Sequence, residues 1–317
     1  MKTNKLPFKK ALELINNSNR VLLTMHEGPD GDDLGSLLAM RYFLKQLGKE
    51  PTAIIKGDVP DNLSFLPDVN VIKQEIDHLN FDLVIFFGCN LAARTGFKQL
   101  ENLKLSSISF DHHPDNQEFA IVNVVDPETS AVAELVYYFL EFADAELTKE
   151  MATCLLTGIF TDTGGFKHAN TSSEALEVAA HLLKKGARID KIAIQTMGKK
   201  RPSAIKAWAK GLENARFDPE KKMVFSVLTE EDLREIGATD EDLDGFVELL
   251  NNMPQSRFAL LLRQDGDVVR GSLRSEPQKK VDVSKIAKSF GGGGHKLASG
   301  FKIKGKLKKE GDAWSIQ

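Results

Sequence analysis

A short segment near the start of the chain combines one histidine with four carboxylates. It runs from His26 to Ser36, with the sequence His-Glu-Gly-Pro-Asp-Gly-Asp-Asp-Leu-Gly-Ser. Carboxylates this close together repel one another, and a divalent cation between them removes that repulsion. Mixed His and Asp ligands favour Mn²⁺, Zn²⁺ or Fe²⁺ over Ca²⁺. The alternative is a solvated acidic turn in which Asp32 or Asp33 caps the following helix. The segment alone does not decide between these two interpretations.

Two further groups of acidic and imidazole side chains occur later in the chain. Asp111, His112 and His113 follow a short apolar run, and Asp162 lies in Thr-Asp-Thr-Gly-Gly-Phe. Each group has an ordinary explanation by itself, because a lone His is usually a surface or core residue and Asp-Thr-Gly-Gly is typical of a turn. Together with the first segment, however, they form a ligand set suited to two metal ions.

The segments between these groups alternate between strand-like and helix-like patterns. Strands are predicted at 21–25, 51–56, 81–87, 106–110 and 120–125, and helices at 7–17, 37–44, 130–142, 149–160 and 172–185. The apolar run 81–87 should be a central parallel strand that is buried on both faces. This alternation predicts an α/β fold with a doubly wound, mainly parallel sheet, which binds ligands at the carboxyl ends of its strands.

The pattern changes in the last third of the chain. Residues 188–215 look helical, without a Gly/Ser-rich tether, and predict a semi-rigid connector. Residues 216–317 predict a second, smaller α+β domain, with strands at 222–227, 257–262 and 268–274 and a helix at 240–251. The first domain would therefore cover 1–187. A basic segment at 302–309 is expected to be a solvated strand.

Composition narrows the range of functions. The 317 residues include 42 Lys and Arg against 45 Asp and Glu, giving a net charge of −3. Such a protein does not coat polyanions through bulk charge and must bind nucleotides at local sites. Only two cysteines are present, which argues against a disulfide framework and for a reducing compartment. Without an export signal or a long apolar run, we expect a cytoplasmic protein with no membrane association.

Four motifs together resemble those of the DHH phosphoesterases. Three lie in the first domain: His-x-x-Pro-Asp-Gly-Asp-x-x-Gly-Ser, Asp-His-His and Gly-Ile-Phe-Thr-Asp-Thr-Gly-Gly-Phe. The fourth, Gly-Gly-Gly-Gly-His-Lys-Leu-Ala-Ser-Gly at 291–300, resembles the signature of the DHH-associated C-terminal domain. The resemblance extends from Val21 to Phe301. Within the family it is closest to the oligoribonucleases that also hydrolyse 3′-phosphoadenosine 5′-phosphate.

The resemblance implies a catalytic first domain with two Mn²⁺ ions. His26 and Asp30 would hold one ion, and Asp32, His112 and Asp162 would hold the other. A hydroxide between the ions would attack phosphorus in line. His113 would face the scissile phosphate, and Asp111 would orient a histidine.

The chain departs from the family at the end of the 83–87 strand. There the family has an Asp that bridges both metals, followed by an Arg. Here the residue is Gly88, whereas Arg94 keeps the Arg position. The neighbouring Cys89 and Asn90 are poor replacements, because Asn is a neutral, weaker ligand and a shifted residue need not point the same way. Three explanations stay open: a degenerate enzyme, an enzyme that recruits another ligand or works with one ion, or a deliberately inactivated variant.

The resemblance also assigns substrate binding to the second domain. The backbone of Gly292, Gly293 and Gly294 would approach a phosphate closely, and His295 would add a positive donor. Arg274 and Ser275 lie in a segment that resembles the family's substrate-binding strand, so Arg274 would clamp a terminal phosphate or stack on a base. The ordinary alternatives are a flexible glycine linker and an exposed strand Arg.

The expected substrates are short RNA, 3′-phosphoadenosine 5′-phosphate or linear dinucleotides. The rival interpretation is a nucleotide-binding protein without catalysis, which Gly88 favours. A processive exonuclease on long strands is disfavoured, because the chain has no basic excess. The oligomeric state is not fixed by the sequence, and a homodimer is among the states left open.

Overall fold

The computed structural model describes residues 5–76, 80–101, 104–198, 200–311 and 313–317. The chain divides into two compact units, Met1–Lys199 and Lys200–Gln317. This division falls inside the segment that was expected to be a connector. Ile192 belongs to the core of the first unit, whereas Ala207 belongs to a core of the second. The helical residues of 188–215 are therefore shared between the two units.

In the described part of the first unit, five strands form one parallel sheet. They are β1 (Arg20–Met25), β2 (Glu50–Ile54), β3 (Leu83–Phe87), β4 (Ser106–Asp111) and β5 (Val122–Val125). Their order is β2-β1-β3-β4-β5. All five residues of β3 are buried, so the prediction of a central strand covered on both faces is confirmed. The α/β fold class is confirmed with it.

The helices of this unit share one large core with one face of the sheet. They are α1 (Lys5–Asn16), α2 (Gly31–Gln46), α3 (Val132–Phe142), α4 (Lys149–Asp162), α5 (Ser173–Lys184) and α6 (Ile189–Ala193). On the other face, Val84 and Phe86 pack with residues of two short 3₁₀ turns, Ala92–Thr95 and Lys98–Leu100. In the part of the chain that the structure describes, no helix is long and apolar enough to cross a membrane.

Helices α2 and α4 approach each other closely at two glycines. A Cβ placed on Gly35 would lie 2.3 Å from the carbonyl oxygen of Cys154, and one placed on Gly158 would lie 2.9 Å from Oδ1 of Asp32. Backbone and buried carboxylate atoms cannot move away easily, so neither position accepts a side chain. The contact brings the end of α4, which carries Asp162, close to the start of α2.

The second unit contains a mixed six-stranded sheet of order β10-β11-β9-β8-β7-β6. Its members are β6 (Arg216–Asp218), β7 (Met223–Leu228), β8 (Phe258–Asp265), β9 (Val268–Arg274), β10 (Gly293–Gly294) and β11 (Ala298–Lys304). The helices are α7 (Pro202–Glu213), α8 (Glu230–Ile236), α9 (Phe246–Asn251) and α10 (Val283–Ser289). A hairpin follows, formed by β12 (Leu307–Glu310) and β13 (Ala313–Ile316). The prediction of a second, smaller α+β domain is confirmed.

Two sequence expectations for this unit were wrong in detail. The helix predicted over 240–251 is a 3₁₀ turn, Asp240–Leu243, followed by α9. Gly245 separates them with a φ of 85°, a conformation that ends a helix. The single basic strand predicted over 302–309 is the end of β11 and then β12, separated at Gly305, whose φ of 146° also requires glycine.

Candidate metal centre

The first group of candidate ligands lies where β1 passes into α2. Nε2 of His26 is 2.8 Å from Oδ2 of Asp33 and 3.2 Å from Oδ2 of Asp30. Nδ1 of the same ring lies 2.9 Å from the carbonyl oxygen of Glu27, to which it donates its hydrogen. This bond leaves Nε2 as the ring atom that faces the carboxylates. His26, Asp30 and Asp33 each offer a ligand atom within 4.8 Å of the others, a spacing that suits one metal ion.

The start of α2 decides which of its acids cap the helix. Asp30 is the N-cap residue, and its side chain accepts a 3.0 Å hydrogen bond from the backbone N–H of Asp33. The expectation that Asp32 or Asp33 would be the cap was wrong. Those two acids lie inside the first turn and are buried, at 5% and 2% exposure. Their carboxylates therefore point into the protein and not toward solvent.

The second group brings together Asp32, His112 and Asp162, again with ligand atoms within 4.8 Å of one another. Nε2 of His112 lies 4.0 Å from Oδ2 of Asp162. Nδ1 of His112 donates to the carbonyl oxygen of Thr129 at 3.2 Å, which fixes the ring with Nε2 toward the acids. Asn170 donates a 3.0 Å hydrogen bond to Oδ2 of Asp162. The acids and imidazole of this group are thus held in place by neighbours that are not themselves candidate ligands.

Asp32 has a second structural task. Its two carboxylate oxygens accept hydrogen bonds of 2.7 and 2.8 Å from the backbone N–H groups of Val132 and Ala133. These groups begin α3, whose N-cap residue, Ala131, has no capping side chain. Asp32 therefore caps α3 from 100 residues away, which fixes its orientation. Each oxygen keeps a second lone pair for a metal.

Asp111 holds His113 at the end of β4. The fully buried Asp111 accepts hydrogen bonds from the backbone of His112 and His113, from Nδ1 of His113 at 2.7 Å and from Asn116 at 2.6 Å. The bond from Asp111 raises the pKa of His113, and burial opposes this only in part. Burial in turn raises the pKa of Asp111, but its hydrogen bonds lower it below the usual value. Asp111 therefore favours the protonated form of His113.

Three of the four acids in the two groups have raised pKa values for one shared reason, whereas the bond from His26 holds the pKa of Asp30 below its usual value against the effect of burial. Burial raises the pKa of Asp32, Asp33 and Asp162, and neighbouring carboxylates raise each of them further. Burial lowers the pKa of His26, but its bonds to Asp30 and Asp33 raise it above the usual range. Oδ1 of Asp33 is buried without a hydrogen-bond partner. A divalent cation neutralises buried carboxylates that repel one another in this way, so the residues present fit a metal centre.

The residues that follow β3 do not supply a ligand to either group. The buried Cys89 thiol lies 3.4 Å from the carbonyl oxygen of Phe87 and belongs to the smaller core. Asn90 donates from its side-chain amide to Asp115 at 3.0 Å. Arg94 has an exposed side chain, and its carbonyl oxygen accepts a 2.7 Å hydrogen bond from the N–H of Glu27. Its backbone therefore helps to fix the β1–α2 loop.

The candidate substrate residues of the second unit are partly used by the fold. Nε of Arg274 donates to Oε1 of Glu248 at 2.5 Å. The buried Ser275 donates to the carbonyl oxygen of Arg257 at 2.9 Å. Gly293 and Gly294 form β10 and pair with β11, and the exposed His295 begins the turn between the two strands. Their contact with a substrate stays a prediction.

Sequence reasoning missed three residues of the centre. Asp33 was considered only as one of four carboxylates and as a possible helix cap, although the coincidence of an extra acid there with a missing acid at Gly88 was a usable signal. Asn116 and Asn170, which hold Asp111 and Asp162, gave no such signal. Asn is common in turns, and nothing in its local sequence distinguishes a turn former from a partner of a buried acid.

Two family models and several known proteins are similar to this chain. Residues 20–159 match the model described as DHH family, N-terminal domain, and residues 220–313 match the DHHA1 domain. The bifunctional oligoribonuclease and PAP phosphatase NrnA of Thermus thermophilus is 33% identical, over 90% of this chain and 84% of its own length. The protein of the same name from Bacillus subtilis is 24% identical, over 89% of each chain.

A solved structure shows the same fold over nearly the whole chain. It is an exopolyphosphatase-related protein from Bacteroides fragilis, with a TM-score of 0.89 and 25% identity. The alignment covers 96% of this chain and 93% of that one. Both units of the fold are therefore shared with this neighbour.

Proposed function

Because the chain belongs to the DHH family of phosphoesterases, we propose that it hydrolyses short oligoribonucleotides and 3′-phosphoadenosine 5′-phosphate with two Mn²⁺ ions. The hydrolase class follows from the family and its relatives. The choice of substrates is supported by the names of the relatives from Thermus and Bacillus, which give both activities. The single observation that carries the metal dependence is the pair of His/Asp groups, each of which includes one acid from the first turn of α2.

In this proposal, His26 and Asp30 hold one ion, and Asp32, His112 and Asp162 hold the other. Bound there, the ions supply Lewis acidity toward the phosphate and a water that can act as a nucleophile at neutral pH. Mn²⁺ is supported by the mixture of imidazole and carboxylate ligands. The chain's own contribution is to fix these ligands through Thr129, Asn170 and the start of α3.

His113 is the chain's own group for binding the reacting phosphate. Asp111 orients this imidazole and raises its pKa, which favours the protonated form that can donate to a phosphate oxygen as negative charge develops. Arg94 adds a second cation on the segment that is bonded to the β1–α2 loop. In the second unit, Arg274, Gly293 and His295 hold the far end of the substrate and so limit its length.

The same proposal covers linear dinucleotides and a cytoplasmic location. Linear dinucleotides carry the same phosphodiester linkage as short RNA. Cys89 and Cys154 are both buried free thiols, as in proteins of reducing compartments.

The second candidate function, a nucleotide-binding protein without catalysis, is favoured by one observation, the absence of a carboxylate at Gly88.

The test is hydrolysis of a 5′-phosphorylated diribonucleotide and of 3′-phosphoadenosine 5′-phosphate with Mn²⁺ and with EDTA. We expect hydrolysis only with the metal, and a loss of about 10²-fold or more in kcat for Asp162→Asn. Glu27→Gln, which removes an exposed carboxylate from the β1–α2 loop, is the matched control and should retain activity. Substrate binding without hydrolysis, with or without bound Mn²⁺, would favour the non-catalytic candidate, and the absence of Mn²⁺ binding would contradict the proposed metal-dependent enzyme.

A further inference from the structure

We propose that Asp33 supplies, from the first turn of α2, the bridging carboxylate that DHH phosphoesterases carry at the end of β3. The inference rests on the metal-dependent function proposed above. It concerns which residue of this chain completes the centre, now that Gly88 occupies the family's position. The chain would then be an active enzyme with a relocated ligand and not a degenerate one.

The strongest support is steric. A Cβ placed on Gly88 would lie 1.9 Å from Oδ2, 2.2 Å from Oδ1 and 2.3 Å from Cγ of Asp33. The Asp33 carboxylate therefore occupies the space into which a side chain at position 88 would project. With this backbone the two side chains exclude each other, because van der Waals contact requires far larger separations. An acid at 33 and a glycine at 88 are consequently a matched pair.

The sequence shows the same exchange. In the motif His-x-x-Pro-Asp-Gly-Asp-x-x-Gly-Ser, position 33 is the first unspecified residue after the second Asp. The chain places a third Asp there and lacks the Asp after β3. The chain therefore has as many acids around the centre as the family has, but one of them, Asp33, comes from α2 and not from the end of β3.

Asp33 also has the bonding of a ligand. Oδ2 is 2.8 Å from Nε2 of His26, inside the first metal group. Oδ1 is buried and has no hydrogen-bond partner. The side chain is only 3% exposed, so water does not satisfy this oxygen either. One oxygen therefore belongs to the first group, and the other is available to a second ion held by its chain neighbour, Asp32.

The other candidates near β3 are accounted for. Asp82, just before β3, accepts hydrogen bonds from the backbone N–H groups of Asn19 and Arg20 at 3.0 and 2.9 Å. This bonding fixes it at the opposite end of the strand from Gly88. Cys89 and Asn90 have the partners given above and lie in neither group. Among the described residues around Gly88, Asp33 is the acid that reaches the vacant position.

The inference is tested by metal binding, independently of hydrolysis. Isothermal titration calorimetry and Mn²⁺ electron paramagnetic resonance should give two ions per wild-type chain. Asp33→Asn keeps the shape of the side chain and removes its charge, and we expect it to lose one ion or to bind Mn²⁺ at least about tenfold more weakly. Glu27→Gln is the matched control from the β1–α2 loop and should bind as the wild type does.

An exchange of the two residues makes the test specific. Gly88→Asp alone should lower the melting temperature and weaken Mn²⁺ binding, because the new side chain collides with Asp33. The double variant Asp33→Ala/Gly88→Asp removes the collision and returns the carboxylate to β3, so it should bind two ions again. Gly88 has a φ of +57°, which Asp tolerates better than most residues, and Gly88→Ala in an Asp33→Ala background measures the remaining strain.

Each outcome separates this inference from the proposed function. If Asp33→Asn binds two ions with wild-type affinity, the inference is overturned and the proposed function stands. If the wild type binds no Mn²⁺, the proposed function fails as well. Should Asp33→Asn not fold, the double variant decides: two bound ions support the relocated ligand, and weaker binding than in Asp33→Ala alone overturns it.

Discussion

At the level of single residues, the three histidines of the candidate centre differ in the group that accepts the hydrogen bond from Nδ1, and this difference indicates a different role for each kind. His26 and His112 donate from Nδ1 to backbone carbonyl oxygens, whereas His113 donates to the carboxylate of Asp111. A neutral carbonyl orients the ring without adding charge, so Nε2 can become a metal ligand. A buried carboxylate stabilises the imidazolium, so His113 suits a phosphate oxygen better than a metal.

Asp111→Asn tests this separation of roles. The amide oxygen still accepts from the backbone and from Nδ1, but the negative charge that stabilises the His113 cation is lost. We expect kcat on the diribonucleotide to fall by about 10²–10⁴-fold, with two Mn²⁺ ions still bound. Steady-state kinetics beside calorimetric Mn²⁺ titration measures both quantities.

Asp115→Asn is the comparison for this prediction, because it removes an exposed carboxylate from the same loop that also raises the pKa of His113, but less than Asp111 does. It should change kcat by no more than about twofold. The assignment of Asp111 to His113 would be contradicted if Asp111→Asn lost metal ions while the molecules that still held both ions kept the wild-type kcat. Asp111 would then act through the metal ligands and not through His113.

At the level of elements, the centre depends on two kinds of packing. The carboxyl ends of β1 and β4 lie at one edge because the strands are parallel, which places His26 and His112 at the same edge of the sheet. The end of α4 reaches this edge only because α2 and α4 pack at glycine contacts. The glycine run of the second unit combines a packing role with a predicted binding role in the same way.

Substitutions at Gly292 and Gly293 can distinguish the packing role of the glycine run from its predicted role in phosphate binding. A Cβ on Gly292 would lie 2.2 Å from the carbonyl oxygen of Gly300, whereas one on Gly293 would meet nothing within 4 Å. We therefore expect Gly292→Ala to destabilise the second unit by about 1–3 kcal/mol. Gly293→Ala should leave the melting temperature nearly unchanged and raise KM for the diribonucleotide by about tenfold, because the methyl group blocks close approach of a phosphate.

Thermal unfolding and steady-state kinetics on the two variants give both quantities. If Gly293→Ala left KM unchanged, the glycine run would serve only the pairing of β10 with β11. The predicted phosphate contact would then have to be sought at Arg274 or elsewhere on the second unit.

At the level of the whole molecule, the metal ligands and the predicted substrate grip belong to different units. All the candidate ligands lie in Met1–Lys199, and Arg274, Gly293 and His295 lie in Lys200–Gln317. Each unit has cores of its own. A ligand that binds only the folded first unit should therefore stabilise that unit selectively.

Hydrogen exchange with mass spectrometry can test this selectivity. Adding Mn²⁺ at 100 times its dissociation constant should stabilise the first unit by about 2.7 kcal/mol for each bound ion. Exchange should slow in peptides that cover 26–35, 111–113 and 158–165, and EDTA should reverse the effect. Peptides from β8 and β9 serve as the internal control. Protection that appeared mainly in the second unit would contradict the assignment of the metal ligands.

The sequence by itself determined the fold class and the types of ligand. Apolar periodicity marked β1, β3 and β4, and the residues directly after these strands are local enough to be placed at one edge without coordinates. The missing carboxylate at Gly88 was visible because the chain resembles the DHH phosphoesterases, which carry an Asp at the end of this strand. Spacing and residue type carry this information because strand direction and helix period are properties of short segments.

Only the tertiary structure decided what each acid does. Successive residues of a helix point in directions roughly 100° apart, so Asp32 and Asp33 lie in different groups although they are neighbours in the chain. Asp32 caps α3, and Asp33 fills the space beside Gly88. Both contacts join residues that are far apart in sequence and depend on the packing of α2 against β3, α3 and α4. No local pattern encodes such contacts, because they exist only when the separate elements have packed together.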